Sequence, residues 1–133
     1  MNFISDNLFL LSIAIISGGA LLLPSLQRRG ARVSQVQATQ YMNQAKTLVL
    51  DVRSVEEFAA GHLPNSKNIP LKELESRIKE IEKSKTNAVI AVCATGVRSS
   101  SAVSILNKAG FEKAFSLDGG VAAWQSQGLP TIK

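Results

Sequence analysis

Between residues 88 and 109 the chain reads AVIAVCATGVRSSSAVSILNKA, an apolar run that passes through the only cysteine into a helical pattern. Ala88 to Val92 has the length of a strand. Ala102, Ile105, Leu106 and Ala109 then recur at i, i+3, i+4 and i+7, one face of a helix. The stretch therefore reads as strand, tight loop carrying Cys93, helix. The first amides of a helix lack intrahelical partners and favour anions, so a thiol in that loop is a candidate thiolate.

The rest of the chain repeats this alternation. Val33 and Val36 suggest a short edge strand, and Thr39 to Ala45 a helical turn with Tyr41 and Met42 on the core. Thr47 to Val52 predicts a strand that ends on Asp51 and Arg53. Ser54 and Glu57 have capping-box spacing, with Val55, Phe58 and Ala59 as the buried side and Gly61 as the stop. After the loop from His62 to Ser66, Lys67 to Ile69 is extended. Leu71, Leu74, Ile78 and Ile81 predict a second helix carrying a Glu75–Lys79 pair on its polar face, and Lys83 to Asn87 a polar turn. Gly110 stops the helix that follows Cys93. A strand over Ala114–Leu117, a turn at Asp118–Gly120 and a helix over Val121–Gln127 complete the pattern. Strands and helices alternating about every 20 residues predict an α/β fold, a mostly parallel central sheet flanked by helices. Ligands in such sheets bind beyond the carboxyl ends of strands, which puts Cys93 and Asp51 on one rim.

Leu8 to Leu26 is nineteen residues without a charge. As a helix it would rise about 28 Å, close to the hydrocarbon thickness of a bilayer. A signal peptide would want a basic start, a shorter apolar run and a small-residue cleavage site. A buried core helix would normally be shorter or show a polar face. The expectation is a retained transmembrane helix. Residues 1–27 form the anchor, 28–33 a basic juxtamembrane linker and 34–133 the folded domain. No Lys or Arg precedes the span, whereas Arg28, Arg29 and Arg32 follow it, so the positive-inside rule places the domain in the cytoplasm. Those arginines suit anionic headgroups. The formal charge of +5 lies in no long basic run and no aromatic-interleaved patch, so no nucleic-acid partner is expected.

One cysteine makes no internal disulfide, and one cysteine with one histidine makes no zinc site. Cys93 is a buried small residue or a reactive thiol. Loop amides can converge on its sulfur as an anion nest, and Gly96 supplies the positive φ that such a loop requires. Ala94 and Thr95 are small enough to leave a pocket open. Lowering the thiol from about 8.5 to about 6.5 would make it mostly thiolate at pH 7. Arg98 opposes the helix dipole in the first turn. That placement points to an anionic substrate or a carboxylate partner, against the plain alternative of a solvated arginine.

Four blocks, LDVRS at Leu50–Ser54, GHLPNSKNIP at Gly61–Pro70, CATGVRS at Cys93–Ser99 and LDGGVAAW at Leu117–Trp124, occur in that order. Together they resemble the single-domain rhodanese family of sulfurtransferases over about Ser34–Lys133. The preceding anchor is similar to membrane-tethered bacterial members, which implies a single-pass protein of the inner (cytoplasmic) membrane. The resemblance implies a rhodanese-like domain and persulfide chemistry. Cys93 takes the outer sulfur of a small anionic donor such as thiosulfate and passes it to a thiol, to cyanide or to a protein acceptor. By the family's pattern, Ala94, Thr95, Gly96 and Val97 form the substrate loop, Arg98 closes it and helps bind the donor, and Asp51 and Arg53 brace the rim. No metal and no organic cofactor is implied. His62 and Trp124 read as structural, and Asp118 as a turn residue.

A cysteine phosphatase or arsenate reductase uses a similar cradle. In the related phosphatases five residues separate Cys from Arg, whereas here only Ala94 to Val97 intervene, a smaller ring suited to one sulfur atom. The non-enzyme alternative is a tethered persulfide carrier or regulatory binding module with little turnover.

Overall fold

The strand ending at Cys93 is apolar at every position and contributes to both faces of a sheet. Val89, Ala91 and Cys93 join one buried cluster while Ile90 and Val92 join another, as side chains alternating along a strand must. The computed structural model describes residues 31–44 and 46–133. Its strands are β1 (Arg32–Val33), β2 (Leu48–Asp51), β3 (Ser66–Asn68), β4 (Ala88–Val92) and β5 (Lys113–Leu117). They form one sheet in the order β1-β5-β4-β2-β3, with every pairing parallel. Parallel strands are joined by crossovers, which here are helices. The crossovers are α1 (Gln35–Met42), α2 (Val55–Ala60), α3 (Leu71–Leu74) with a 3-10 helix (Ile78–Ser84), and α4 (Val97–Lys108), and α5 (Gly120–Ser126) follows the last strand.

Two layers of side chains cover the sheet. Ala102, Val103 and Leu106 of α4 pack with Leu74 and Ile81 over Leu50, Val89 and Ala91. On the other face, Ala38 of α1 with Val121 and Trp124 of α5 covers Val49, Ile90 and Leu117. The Trp124 indole N–H donates to the Pro130 carbonyl at 2.8 Å, so this ring is core with its polar atom satisfied. Tyr41 and Met42 pack at the border of this layer, and Tyr41 stacks on Phe115.

Several local expectations change. Val36 belongs to α1 and is exposed, because Ser34 and Gln37 form a reciprocal capping box that ends β1 at Val33. Arg32 and Val33 pair with Ser116 and Leu117, so the sheet begins inside the segment read as linker. The expected helix over Leu71–Ile81 breaks into α3 and the 3-10 helix, which still bury Leu74 and Ile81. With that break the Glu75–Lys79 spacing has no helix to sit on. Arg77, at the junction, pairs instead with Glu73 and Glu80. Val55 and Ala59 are exposed, and α2 has no buried residue. Gly61 ends α2, but at φ +151° and ψ +135° rather than in the left-handed cap.

The expected membrane span and most of the basic flank lie outside the described residues. Among the described residues no helix is long and apolar enough to cross a membrane.

Candidate active site

β4 delivers Cys93 to the carboxyl edge of the sheet, where the backbone curls before α4 begins. Gly96 makes the curl at φ +102° and serves as the N-cap of α4, a conformation open to glycine at little cost. Its amide N–H then points back at the sulfur, 2.9 Å from Cys93 Sγ. The Ser99 hydroxyl, one turn into α4, lies 3.4 Å from the same sulfur.

The loop is also gripped from outside. The Val121 amide donates to the Cys93 carbonyl at 2.9 Å and the Ala122 amide to the Ala94 carbonyl at 3.0 Å. The first turn of α5 thereby satisfies both carbonyls of the loop. This close approach is why Gly120 carries no side chain. A Cβ there would collide with the Cys93 carbonyl oxygen and lie 2.7 Å from the Ala94 carbonyl. The block read as a turn at Asp118–Gly120 is therefore half of the loop's support.

These contacts decide the chemistry of the thiol. Burial pushes Cys93 up, but the Ser99 hydroxyl, the Ser99 amide and the amides of Gly96 and Thr95 more than offset it, leaving the thiol below its ordinary value. Several donors converging on one sulfur outweigh the desolvation of a small anion. The residues expected to line the substrate loop divide by exposure. Ala94 and Gly96 are half-buried, whereas Thr95 and Val97 turn to solvent. Thr95, Gly96 and Val97 border an open cleft of about 330 Å³ with Arg32 and Ser100. A larger cleft of about 450 Å³ between α1, β2 and the loop before β3 carries no ionisable side chain, so it offers no comparable chemistry.

Arg98 has a carboxylate partner. Its Nη1 and Nη2 donate to Glu57 Oε1 and Oε2 at 2.8 and 2.9 Å. Glu57 is also the capping residue of α2, bonded to the Ser54 amide and hydroxyl. The Arg98 hydrogen bonds hold its carboxyl down at about 2. Of the two roles the sequence leaves open for Arg98, the structure displays the ion pair.

Asp51 and Arg53 form a buried pair at the end of β2. Arg53 Nε and Nη2 donate to the Asp51 carboxylate, Nη2 also to the Gly61 carbonyl at 2.7 Å. Asn68 Nδ2 donates to the carbonyls of both residues. The pair ties β2, β3 and the end of α2 together and makes no hydrogen bond to Cys93. His62 stacks on Phe58, with ring centroids 3.8 Å apart, and its Nδ1 lies 2.8 Å from the Phe58 carbonyl. No acidic, cysteine and histidine cluster among the described residues has the makings of a metal site.

Ser99, Ser116, Glu57 and Gly120 are the site residues that sequence reasoning missed. Ser99 stands in the CATGVRS block and Glu57 in the capping box, so both are visible in the sequence, but neither carries a signal for a role beside the thiol. Ser116 had no local signal, because a lone serine in an apolar strand reads as a solvent-facing position.

A family model described as a Rhodanese-like domain matches residues 34–127. The chain is 32% identical to the protein BU052 of Buchnera aphidicola subsp. Acyrthosiphon pisum, over 98% of this chain and 93% of that one. It is 30% identical to the thiosulfate sulfurtransferase GlpE of Pseudoalteromonas translucida, over 71% of this chain and 88% of the relative. Among solved structures, a rhodanese-related protein of Thermoplasma volcanium superposes with a TM-score of 0.69 at 29% identity. That match covers 77% of this chain and 97% of the other.

Proposed function

Because the chain belongs to the rhodanese-like domain family, we propose that it moves sulfane sulfur from a small anionic donor to a thiol acceptor through a persulfide on Cys93. One observation carries this reading, the buried sulfur facing the Gly96 amide at 2.9 Å with the Ser99 hydroxyl beside it. The similarity to a relative named as a thiosulfate sulfurtransferase supports thiosulfate as the donor.

The steps balance without a cofactor. The Cys93 thiolate attacks the outer sulfur of thiosulfate, a new S–S bond forms, the donor's S–S bond breaks, and sulfite leaves with that electron pair. Cys93 then carries a persulfide whose terminal sulfur bears the negative charge, a charge that converging amides stabilise as they did the thiolate. An acceptor thiolate attacks that terminal sulfur and becomes the persulfide, or cyanide becomes thiocyanate. The electron pair returns to Cys93 as thiolate. The exposure of Val97 and Thr95 at the cleft supports a bulky acceptor, including a protein.

The uncharged run from Leu8 to Leu26 and the arginines after it support a single-pass anchor in the inner membrane with the domain on the cytoplasmic side. A low-turnover carrier or regulatory module is favoured by one feature: both terminal nitrogens of Arg98 are already engaged by Glu57. A donor anion would have to compete for them.

The test is mass spectrometry of the intact protein after incubation with thiosulfate. Sulfur transfer requires the gain of one sulfur atom on Cys93, its loss on adding cyanide or a thiol, and neither event in Cys93→Ala. Steady thiosulfate:cyanide turnover supports the enzyme, whereas a single loading without turnover supports the carrier. Hydrolysis of p-nitrophenyl phosphate with no sulfur loading would overturn both in favour of a phosphatase.

A further inference from the structure

Behind Cys93 lies a second hydroxyl that the proposed sulfur transfer does not use. Ser116, the fourth residue of β5, is 2% exposed, and its Oγ lies 2.7 Å from Ser99 Oγ. Ser99 is wholly buried and stands 3.4 Å from Cys93 Sγ, 3.1 Å from the Gly96 carbonyl and against Ser116. Strand alternation explains the encounter. Phe115 and Leu117 pack on the α5 side of the sheet, so Ser116 turns to the α4 side beside Ala114.

Counting protons assigns the directions. A serine hydroxyl donates one hydrogen and accepts up to two. Ser99 is the only partner of the Ser116 side chain among the described hydrogen bonds, and a buried hydroxyl must place its hydrogen. Ser116 therefore donates to Ser99. The Ser99 proton then has two acceptors within reach, the Gly96 carbonyl and the Cys93 sulfur. The Gly96 carbonyl also accepts from the Ser100 hydroxyl at 3.0 Å, so it keeps a donor when Ser99 turns away.

We propose that Ser116 is a positioning residue for the nucleophile, holding and polarising the Ser99 hydroxyl so that its proton turns to the Cys93 sulfur when the thiol ionises. In the neutral state the Cys93 S–H donates to Ser99 Oγ and Ser99 donates to the Gly96 carbonyl. In the thiolate state Ser99 donates to sulfur while Ser116 continues to donate to Ser99. When the persulfide forms, the charge moves to the terminal sulfur, and Ser99 can return its proton to Gly96. Hydrogen bonds in such a chain strengthen one another, by about 10–30% per bond. The inference deepens the sulfur-transfer reading and rests on it for its functional meaning, but thiol ionisation can be measured without any sulfur donor.

No ionisable group on the elements around Cys93 bonds to Ser116, and Glu56 of α2, Lys108 at the far end of α4 and Lys113 at the far end of β5 turn to solvent. Asp51 and Arg53 close the end of β2, Glu57 of α2 holds Arg98 of α4, and Asp118 beyond β5 faces Arg32 at 4.0 Å. Changing Ser116 therefore leaves every one of these charges in place.

Cys93 is the only cysteine of the chain, so thiolate absorbance near 240 nm in the full-length protein, corrected with Cys93→Ala, titrates this group alone. Ser116→Ala should raise the titration midpoint by about half a pH unit and Ser99→Ala by about one to two. Ser116→Thr, which restores a hydroxyl, should return the midpoint toward the wild type, whereas Ser116→Val, of the same shape without it, should not. Sulfur loading of Ser116→Ala should be about threefold slower below the midpoint and should recover at alkaline pH. An unchanged midpoint in Ser116→Ala, or equal shifts in the Thr and Val variants, would overturn the proposal. If wild-type protein titrates as described but takes no sulfur from thiosulfate, the sulfur-transfer reading fails and the role of Ser116 in thiol ionisation stands.

Discussion

The Arg98 guanidinium meets the Glu57 carboxylate as a two-pronged fork, and the two residues lie 41 positions apart in the chain. The fork joins the helix that follows the nucleophile to the first turn of α2. Both side chains are more than a third exposed, so the pair contributes about 1 kcal/mol or less to stability. On the proposed sulfur-transfer function its larger effect is on an anionic donor, because Glu57 occupies the cation that such a donor would seek.

Glu57→Gln should therefore lower the KM for thiosulfate a few-fold with little change in kcat, since Gln keeps the capping-box geometry. The Glu57 carboxyl titrates at about 2 in the folded protein against 4.5 ordinarily. A depressed folded value stabilises the fold above the unfolded value, and that contribution disappears as pH falls from about 4.5 toward 2. Urea unfolding should show the wild type slightly more stable than Glu57→Gln at pH 7, with the gap closing through that window. A gap that persists at pH 2 would show that the fork is not its source.

Gly120→Ala should destabilise the domain by about 2–3 kcal/mol or more and suppress sulfur loading, because the new methyl meets the backbone of Cys93 and Ala94 as well as a left-handed φ of +62°. Gly110→Ala is the control. It has φ +94° but nothing within 4 Å of its Cβ, so it should cost about 1 kcal/mol and leave loading intact. Urea midpoints and the mass assay on both variants separate backbone strain from collision with the loop.

Asp51→Ala should destabilise by about 3–5 kcal/mol, as it leaves the Arg53 charge buried without its carboxylate. Adding Arg53→Met should recover part of that loss. If the double variant is as unstable as the sum of the single changes, the cost does not come from the orphaned charge.

The chain should sediment with membranes, resist extraction by alkaline carbonate and dissolve in detergent, as a single apolar span requires. Protease added outside intact spheroplasts should leave the domain whole, and added after lysis should digest it, if the arginines past the span face inward. Release by carbonate would remove the anchor.

The strand and loop around Cys93 were legible because burial there is extreme. Ala88 to Val92 is apolar at every position, and the strand over those residues has the expected ends. The capping box at Ser54 was legible for the opposite reason, since it depends on residues three apart. What escaped was decided at long range. Nothing near Glu57 announces Arg98, and nothing near Ser116 announces Ser99. The split of the Leu71–Ile81 segment also escaped, because a 3-10 helix brings Ile78 and Ile81 to the core as well as an α-helix would. Val55 and Ala59 were misassigned because α2, at six residues, has no room for a full apolar face.

The grip of Val121 and Ala122 on the carbonyls of Cys93 and Ala94 has a consequence for the nascent chain. The loop that carries the sulfur is held by residues that leave the ribosome well after it does. Until α5 docks, the carbonyls of Cys93 and Ala94 lack the amide partners that hold the loop in place. The loop around the nucleophile is finished only with the last helix of the chain, so synthesis must run almost to its end before the site exists.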